Sequence, residues 1–205
     1  MSGFSRGLDF DISLNLLWVT AITAHSEDTL ENACMSIPRR HAEPTRIAAG
    51  ERTFFVTAST WGKRNLLQSS RAAELFIRTL YDYRAQGKYA LHEFVVMPDH
   101  FHVLITVNAD MTVERAVQLM KGGFSFRAGK DLGFKAPVWQ KGFSEIRVFD
   151  SDAFQNQAQY IRENPVEAHL VRAAEHYPYS SVQSAELDPM PGRLKPVFLE
   201  DLYSV

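Results

Sequence analysis

The sequence predicts an α+β domain in which helices pack on an antiparallel-rich sheet. Two observations lead there. Segments with strand character and segments with helical spacing follow one another as strand, helix, two strands, helix, strand, helix. The two central apolar runs are separated only by Pro98-Asp99, a turn signal, so they form either a tight hairpin or one long bulged strand.

Each element has its own warrant. RTFFVTAST (52–60) is rich in β-branched and aromatic residues and reads as a strand. SSRAAELFIRTLYDYRAQG (69–87) reads as a helix: Ser69 or Ser70 can cap it, Leu75, Phe76, Leu80 and Tyr83 recur at helical spacing, and Gly87 ends it. YALHEFVVM and HFHVLITV are the paired apolar runs. TVERAVQLMKGGFSFRAGK (112–130) starts as a helix at Thr112, with Gly122-Gly123 expected to weaken or bend it. PVWQKGFSEIRVF (137–149) reads as a loop and then a strand from about Glu145, and SDAFQNQAQYIREN (151–164) as a helix that stops at Pro165. From Ala185 the proline-bearing tail reads as irregular. The order resembles the ferredoxin-like pattern of layered α+β domains.

A chain of 205 residues buries a real core and is most simply one domain with extensions. The expected boundaries are an acidic extension over 1–34, a domain over 35–184 and a tail over 185–205. Cys34 is the single cysteine, which excludes a disulfide framework and a thiolate zinc cluster and points to a reducing, cytoplasmic setting. The apolar run ISLNLLWVTAITA (12–24) falls short of the roughly 20 residues that span a bilayer. A signal peptide wants a positive start, and here Asp9 and Asp11 outnumber Arg6, so no membrane partner is expected.

Charge is unevenly spread. The total is −2, but residues 1–35 carry −4, 36–150 carry +6, and 151–185 and 186–205 carry −2 each. The basic middle permits a phosphate-binding surface without demanding one, since solvated charge explains it equally.

In MPDHFHVLI (97–105) two imidazoles sit two apart on a strand, so His100 and His102 project to one face while Phe101, Val103 and Ile105 enter a core. Such a pair can converge on one ion at roughly 2.1 Å each. One packed histidine and one surface histidine account for the same pattern. In YIRENP (160–165), Tyr160 and Asn164 are four apart and share a helical face. Ile161 goes with Phe154 and Ala158 on the packed side, and Asn156 joins the polar stripe. A half-buried tyrosine and an asparagine near a helix C-terminus are the plainer account. Taken together, the two groups suggest a divalent ion held by His100, His102 and Asn164, acting as a Lewis acid on a phosphate that Tyr160 attacks.

At MPDHFHVLI and YIRENPVEAHLV the sequence resembles the single-tyrosine transposases of the HUH (histidine–hydrophobe–histidine) nuclease class, and more closely the REP-associated tyrosine transposases of bacteria. The likeness runs from about Pro38 to Ser181, with VWQKGF and YPYSS as looser support. It implies a ferredoxin-like HUH nuclease fold, with His100, His102 and Asn164 as metal ligands and Tyr160 as nucleophile. It also implies Mg2+ or Mn2+, single-stranded DNA bearing a hairpin, a covalent 5′-phosphotyrosine, a monomer or homodimer, and a place at the nucleoid. The family often has a histidine where this chain has Ile146.

Expected DNA contacts are Arg39, Arg40, Lys121, Arg127, Lys141 and Arg147, with Trp139 or Phe143 as a stacking platform. Two other readings compete. A domesticated relative would bind hairpin DNA with little turnover, and a histidine-ligated hydrolase of small phosphate esters would leave Tyr160 without a role.

Overall fold

The computed structural model describes residues 50–183 and 186–194; the acidic extension, Arg39, Arg40 and the end of the tail lie outside the described residues. Four strands, β1 (Arg52–Ser59), β2 (Ala90–Val96), β3 (His100–Val107) and β4 (Ser144–Val148), form one sheet in the order β2-β3-β1-β4. Every neighbouring pair is antiparallel. Three helices complete the fold: α1 (Ser70–Ala85), α2 (Val113–Leu132) and α3 (Ser151–Glu167). The α+β expectation holds, and Pro98-Asp99 turns a tight hairpin closed by the Met97 N–H on the His100 carbonyl at 2.9 Å.

Strand alternation divides the sheet into two faces. On one, Phe54, Val56, Phe101, Val103 and Ile105 meet Phe76 and Leu80 of α1 and Met120 and Phe124 of α2. On the other, Phe55 and Leu104 meet Phe154, Ala158 and Ile161 of α3. That helical stripe recurs at three to four residues, and burying each of its large side chains stabilises the docked helix by about 2 kcal/mol. The helix starts are capped by side-chain oxygens: Ser69 accepts from the Ala72 N–H, Thr112 from Arg115 and Asp150 from Ala153.

Two helix expectations need correction. The helix α2 runs through Gly122-Gly123 unbroken, because Val117, Met120 and Phe124 anchor it on both sides. Gly123 is there for space: a Cβ on it would lie 2.7 Å from the Tyr83 ring of α1. The helix α3 continues through Pro165 to Glu167. Proline in a last turn sacrifices one N–H, its ring is buried here, and the Ala168 and Leu170 amides cover the carbonyls of Asn164 and Pro165 at 3.0 and 2.9 Å.

The outer edge of β2 is covered by the chain itself. The Val96 N–H donates to the Tyr179 carbonyl, the Leu91 N–H to the Asp188 carboxylate, and the Asp188 N–H back to the Leu91 carbonyl. Arg84 of α1 grips the same carboxylate with Nε and Nη2 at 2.7 and 2.9 Å, and Leu194 is buried against the α3 face of the sheet.

Candidate active site

The pairing of β1 with β3 sets Thr57 opposite His102 and Ser59 opposite His100, all on the α3 face. The two imidazoles meet at right angles, with their Nε2 atoms 3.1 Å apart. Each outer nitrogen has a partner. His100 Nδ1 lies 2.6 Å from Asp99 Oδ1, and because a carboxylate only accepts, this nitrogen carries the proton. His102 Nδ1 lies 2.7 Å from Thr57 Oγ1, a group able to donate or accept. Burial first, then the charges of His100 and Lys63, push the His102 pKa down to about 3, so its ring is neutral at ordinary pH.

This arrangement fits a divalent ion. Two nitrogens that each sit about 2.1 Å from a shared ion come within about 3 Å of each other as adjacent ligands, which agrees with the observed gap. Hydrogen bonds at the outer nitrogens are how ligating histidines are usually oriented. Among the described residues no three of His, Cys, Asp and Glu converge.

Helix α3 supplies the rest. The Phe55 ring stacks on His102 at 5.3 Å, and the Tyr160 ring sits edge-on to both, 5.4 Å from His102 and 5.7 Å from Phe55. Tyr160 is 42% exposed, its ring held on one side by Phe55 and His102. Burial, then Glu167, raise the phenol pKa, and a hydrogen bond with the Asn164 side chain opposes them. Asn164 is buried one turn further on. Between them, Arg162 pairs through Nε (3.0 Å) and Nη2 with the buried Glu93 carboxylate of β2, whose other oxygen accepts from Ser181 Oγ.

The remaining expected residues are elsewhere. Trp139 has no face to offer a base: it is 9% exposed, packs on Phe76, Phe101 and Phe124, and donates Nε1–H to the Lys121 carbonyl. Lys121 donates to the carbonyls of Gln140 and Gly142 at 2.8 and 2.7 Å, and Arg127 pairs with Asp82 at 2.5 Å. These two cations hold α2 to its neighbours. Lys141 and Arg147 are exposed, Arg147 over the Phe149 ring at 5.1 Å. Ile146 faces the α3 side beside Phe55, half-exposed. Thr57 and Glu93 had no signal in the sequence, since only strand register and a β-bulge between Leu91 and Glu93 aim them inward.

The sequence profile of IS200-like transposases matches residues 55–164, over half of the chain and the whole span from Phe55 to Asn164. The chain belongs to the IS200-like transposase family. Among solved structures, this family member resembles a REP-associated tyrosine transposase bound to a REP hairpin, with a TM-score of 0.58 and 20% identity over 67% of this chain and 82% of that one. The two share the fold. A transposase candidate from Deinococcus radiodurans aligns at 22% identity and a TM-score of 0.44, over 56% of this chain and 90% of that one. A search of curated proteins finds no match. No described helix of this transposase-family chain is long and apolar enough to cross a membrane.

Proposed function

We propose that this IS200-like protein is a divalent-metal-dependent endonuclease and strand transferase for single-stranded DNA beside a hairpin, working through a covalent bond between Tyr160 and a 5′ phosphate. The observation that carries the reading is the Tyr160 ring 5.4 Å from His102, whose Nε2 faces that of His100 at 3.1 Å. Family membership supports DNA as substrate, and the REP-associated relative of the same fold is bound to a REP hairpin.

His100 and His102 would hold Mg2+ or Mn2+ through Nε2, with the Asn164 side-chain oxygen as third ligand. Bound there, such an ion supplies Lewis acidity and orients the scissile phosphate. The chain's own residues do the rest. Asp99 and Thr57 aim the imidazoles, and the burial of His102 keeps it free of a competing proton. Phe55 holds the Tyr160 ring through an edge-on contact. Asn164 donates to the phenol oxygen and favours its ionised form. Tyr160 Oη attacks phosphorus and its proton leaves to water. The bond from phosphorus to the 3′ oxygen breaks, and that oxygen takes up a proton as a free 3′ hydroxyl. A 3′ hydroxyl attacking the phosphotyrosine reverses the step and joins strands. Tyr160 packs on His102 of its own chain, so the reading needs no second subunit to bring the phenol to the histidines.

The test incubates the protein with single-stranded hairpin oligonucleotides and Mn2+ and resolves the products under denaturing conditions. The expected result is a protein–DNA adduct that survives denaturation and disappears in Tyr160→Phe. Hairpin binding without adduct across many sequences would instead identify a DNA-binding protein with little turnover.

A further inference from the structure

The turn that follows β1, Thr60–Arg64, is fastened more heavily than its length requires. Its Thr60 N–H donates to the Asp99 carbonyl and its Trp61 N–H to the Val138 carbonyl, each at 2.8 Å. Thr60 Oγ1 lies 2.6 Å from the Arg64 carbonyl, and Arg64 itself reaches back to the Trp61 carbonyl at 3.0 Å and across to Pro137 at 2.7 Å. The turn is thus tied to the β2–β3 hairpin on one side and to the segment before β4 on the other. Gly62 and Lys63 both lie in the left-handed region, at φ 63° and 55°. Glycine adopts it freely; a lysine there is strained and stays only because its surroundings impose it.

What this rigid turn presents to water is an indole and a cation. Trp61 is 43% exposed, two residues beyond Ser59, the strand partner of His100. Lys63 has its side chain 59% exposed, with Nζ 3.8 Å from Asp99 Oδ2, and the other oxygen of that carboxylate holds His100. The exposed part of the indole contributes nothing to the fold, and strain at Lys63 two residues on detracts from it. An aromatic face beside a cation is the pairing that single-stranded nucleic acid uses, the base stacking on the ring and the phosphate meeting the charge.

We propose that Trp61 and Lys63 form a nucleotide subsite, in which the indole stacks a base of the single strand adjoining the scissile phosphate and the Lys63 ammonium pairs with a backbone phosphate. It rests on the proposed function for the position of the scissile phosphate. Because the turn is pre-formed, little ordering is required when the strand arrives. Stacking tolerates any base, so the subsite grips the strand without reading it.

Two fluorescent probes test this on the full chain: a DNA hairpin with a single-stranded tail and the same hairpin without one. Trp61→Ala is expected to weaken the tailed probe about tenfold, Trp61→Phe to keep most of the affinity, and both to leave the tail-less hairpin unchanged. Lys63→Ala is expected to lower the salt dependence of tailed binding by about one phosphate contact, with Lys63→Arg restoring it. Phe126→Ala, which removes a 75% exposed ring elsewhere, serves as the control and is expected to change nothing. Unchanged binding in Trp61→Ala and Lys63→Ala, or equal losses on both probes or in the control, overturns the subsite. The Tyr160 adduct reports separately: adduct formation with unaltered variant affinities sinks the subsite and keeps the chemistry, whereas tail-specific losses without any adduct do the reverse.

Discussion

Glu93 on β2 and Arg162 on α3 form an ion pair that ties the helix bearing Tyr160 to the sheet bearing the histidines. Arg162 stands between Tyr160 and Asn164 on α3, so any slip of the pair moves both. Glu93→Gln is expected to reduce the rate of adduct formation by at least about tenfold, since small misplacement of a nucleophile is costly, while hairpin affinity stays within about twofold. The loss of stability should be about 1–2 kcal/mol, less than for a fully buried pair because Arg162 is half-exposed. Single-turnover kinetics against hairpin titration separates these effects; equal loss in both would mean that the pair merely holds the fold.

Thr57 and Asp99 act through the histidines they touch. Thr57→Val keeps the volume but removes the hydroxyl at His102 Nδ1, and should weaken Mn2+ binding about 10- to 100-fold. His102→Ala should abolish cleavage and leave hairpin binding largely intact. Mn2+ titration followed by electron paramagnetic resonance, beside a binding assay, checks both. Parallel loss of DNA binding would identify the histidine as structural.

Two neutral buried imidazoles make the ion-free protein sensitive to acid. Burial lowers the pKa of His92 as well as that of His102, which falls to about 3. The unfolded chain binds protons at these groups near their ordinary pKa of about 6.5, before the folded chain does. Their contribution is therefore complete above that pH and lost below it, at up to about 1.4 kcal/mol per pH unit for each histidine. Asp188, its pKa lowered mainly by its hydrogen bond with Arg84, adds a further loss below the ordinary carboxylate range. Urea unfolding in a chelator from pH 8 to 4 should show a plateau and then a decline, shallower in His92→Gln. A flat profile would contradict burial of these rings.

The adjacent glycines of α2 should respond oppositely to alanine. Gly122 has open space where a methyl would go, so Gly122→Ala should stabilise by about 1 kcal/mol through helix propensity alone. Gly123→Ala drives a methyl into the Tyr83 ring and should destabilise despite the same propensity gain. Thermal melting of the two variants decides it.

Local patterns were legible wherever chemistry and periodicity coincide. Alternation placed His100 and His102 together, and helical spacing placed Tyr160 with Asn164 and set Ile161 inward, because these relations depend on neighbours along one element. Relations across elements were not legible. Nothing in VTAS (56–59) says that Thr57 will face His102, since that depends on the register between β1 and β3. Trp139, expected as a stacking platform, is a similar case: the loop folds its ring under α2, a relation across elements. Pro165 and Gly123 each carry a local signal of helix breaking that tertiary packing overrides.

By laying Tyr179, Ser180 and Asp188 along β2, the protein keeps a ladder of backbone donors and acceptors out of reach of foreign strands. A polypeptide ending at residue 183 would lack Asp188 and bare Leu91 to water, turning that margin into a template for strand addition between molecules. Solubility on expression would then be decided by a segment that holds none of the candidate site residues.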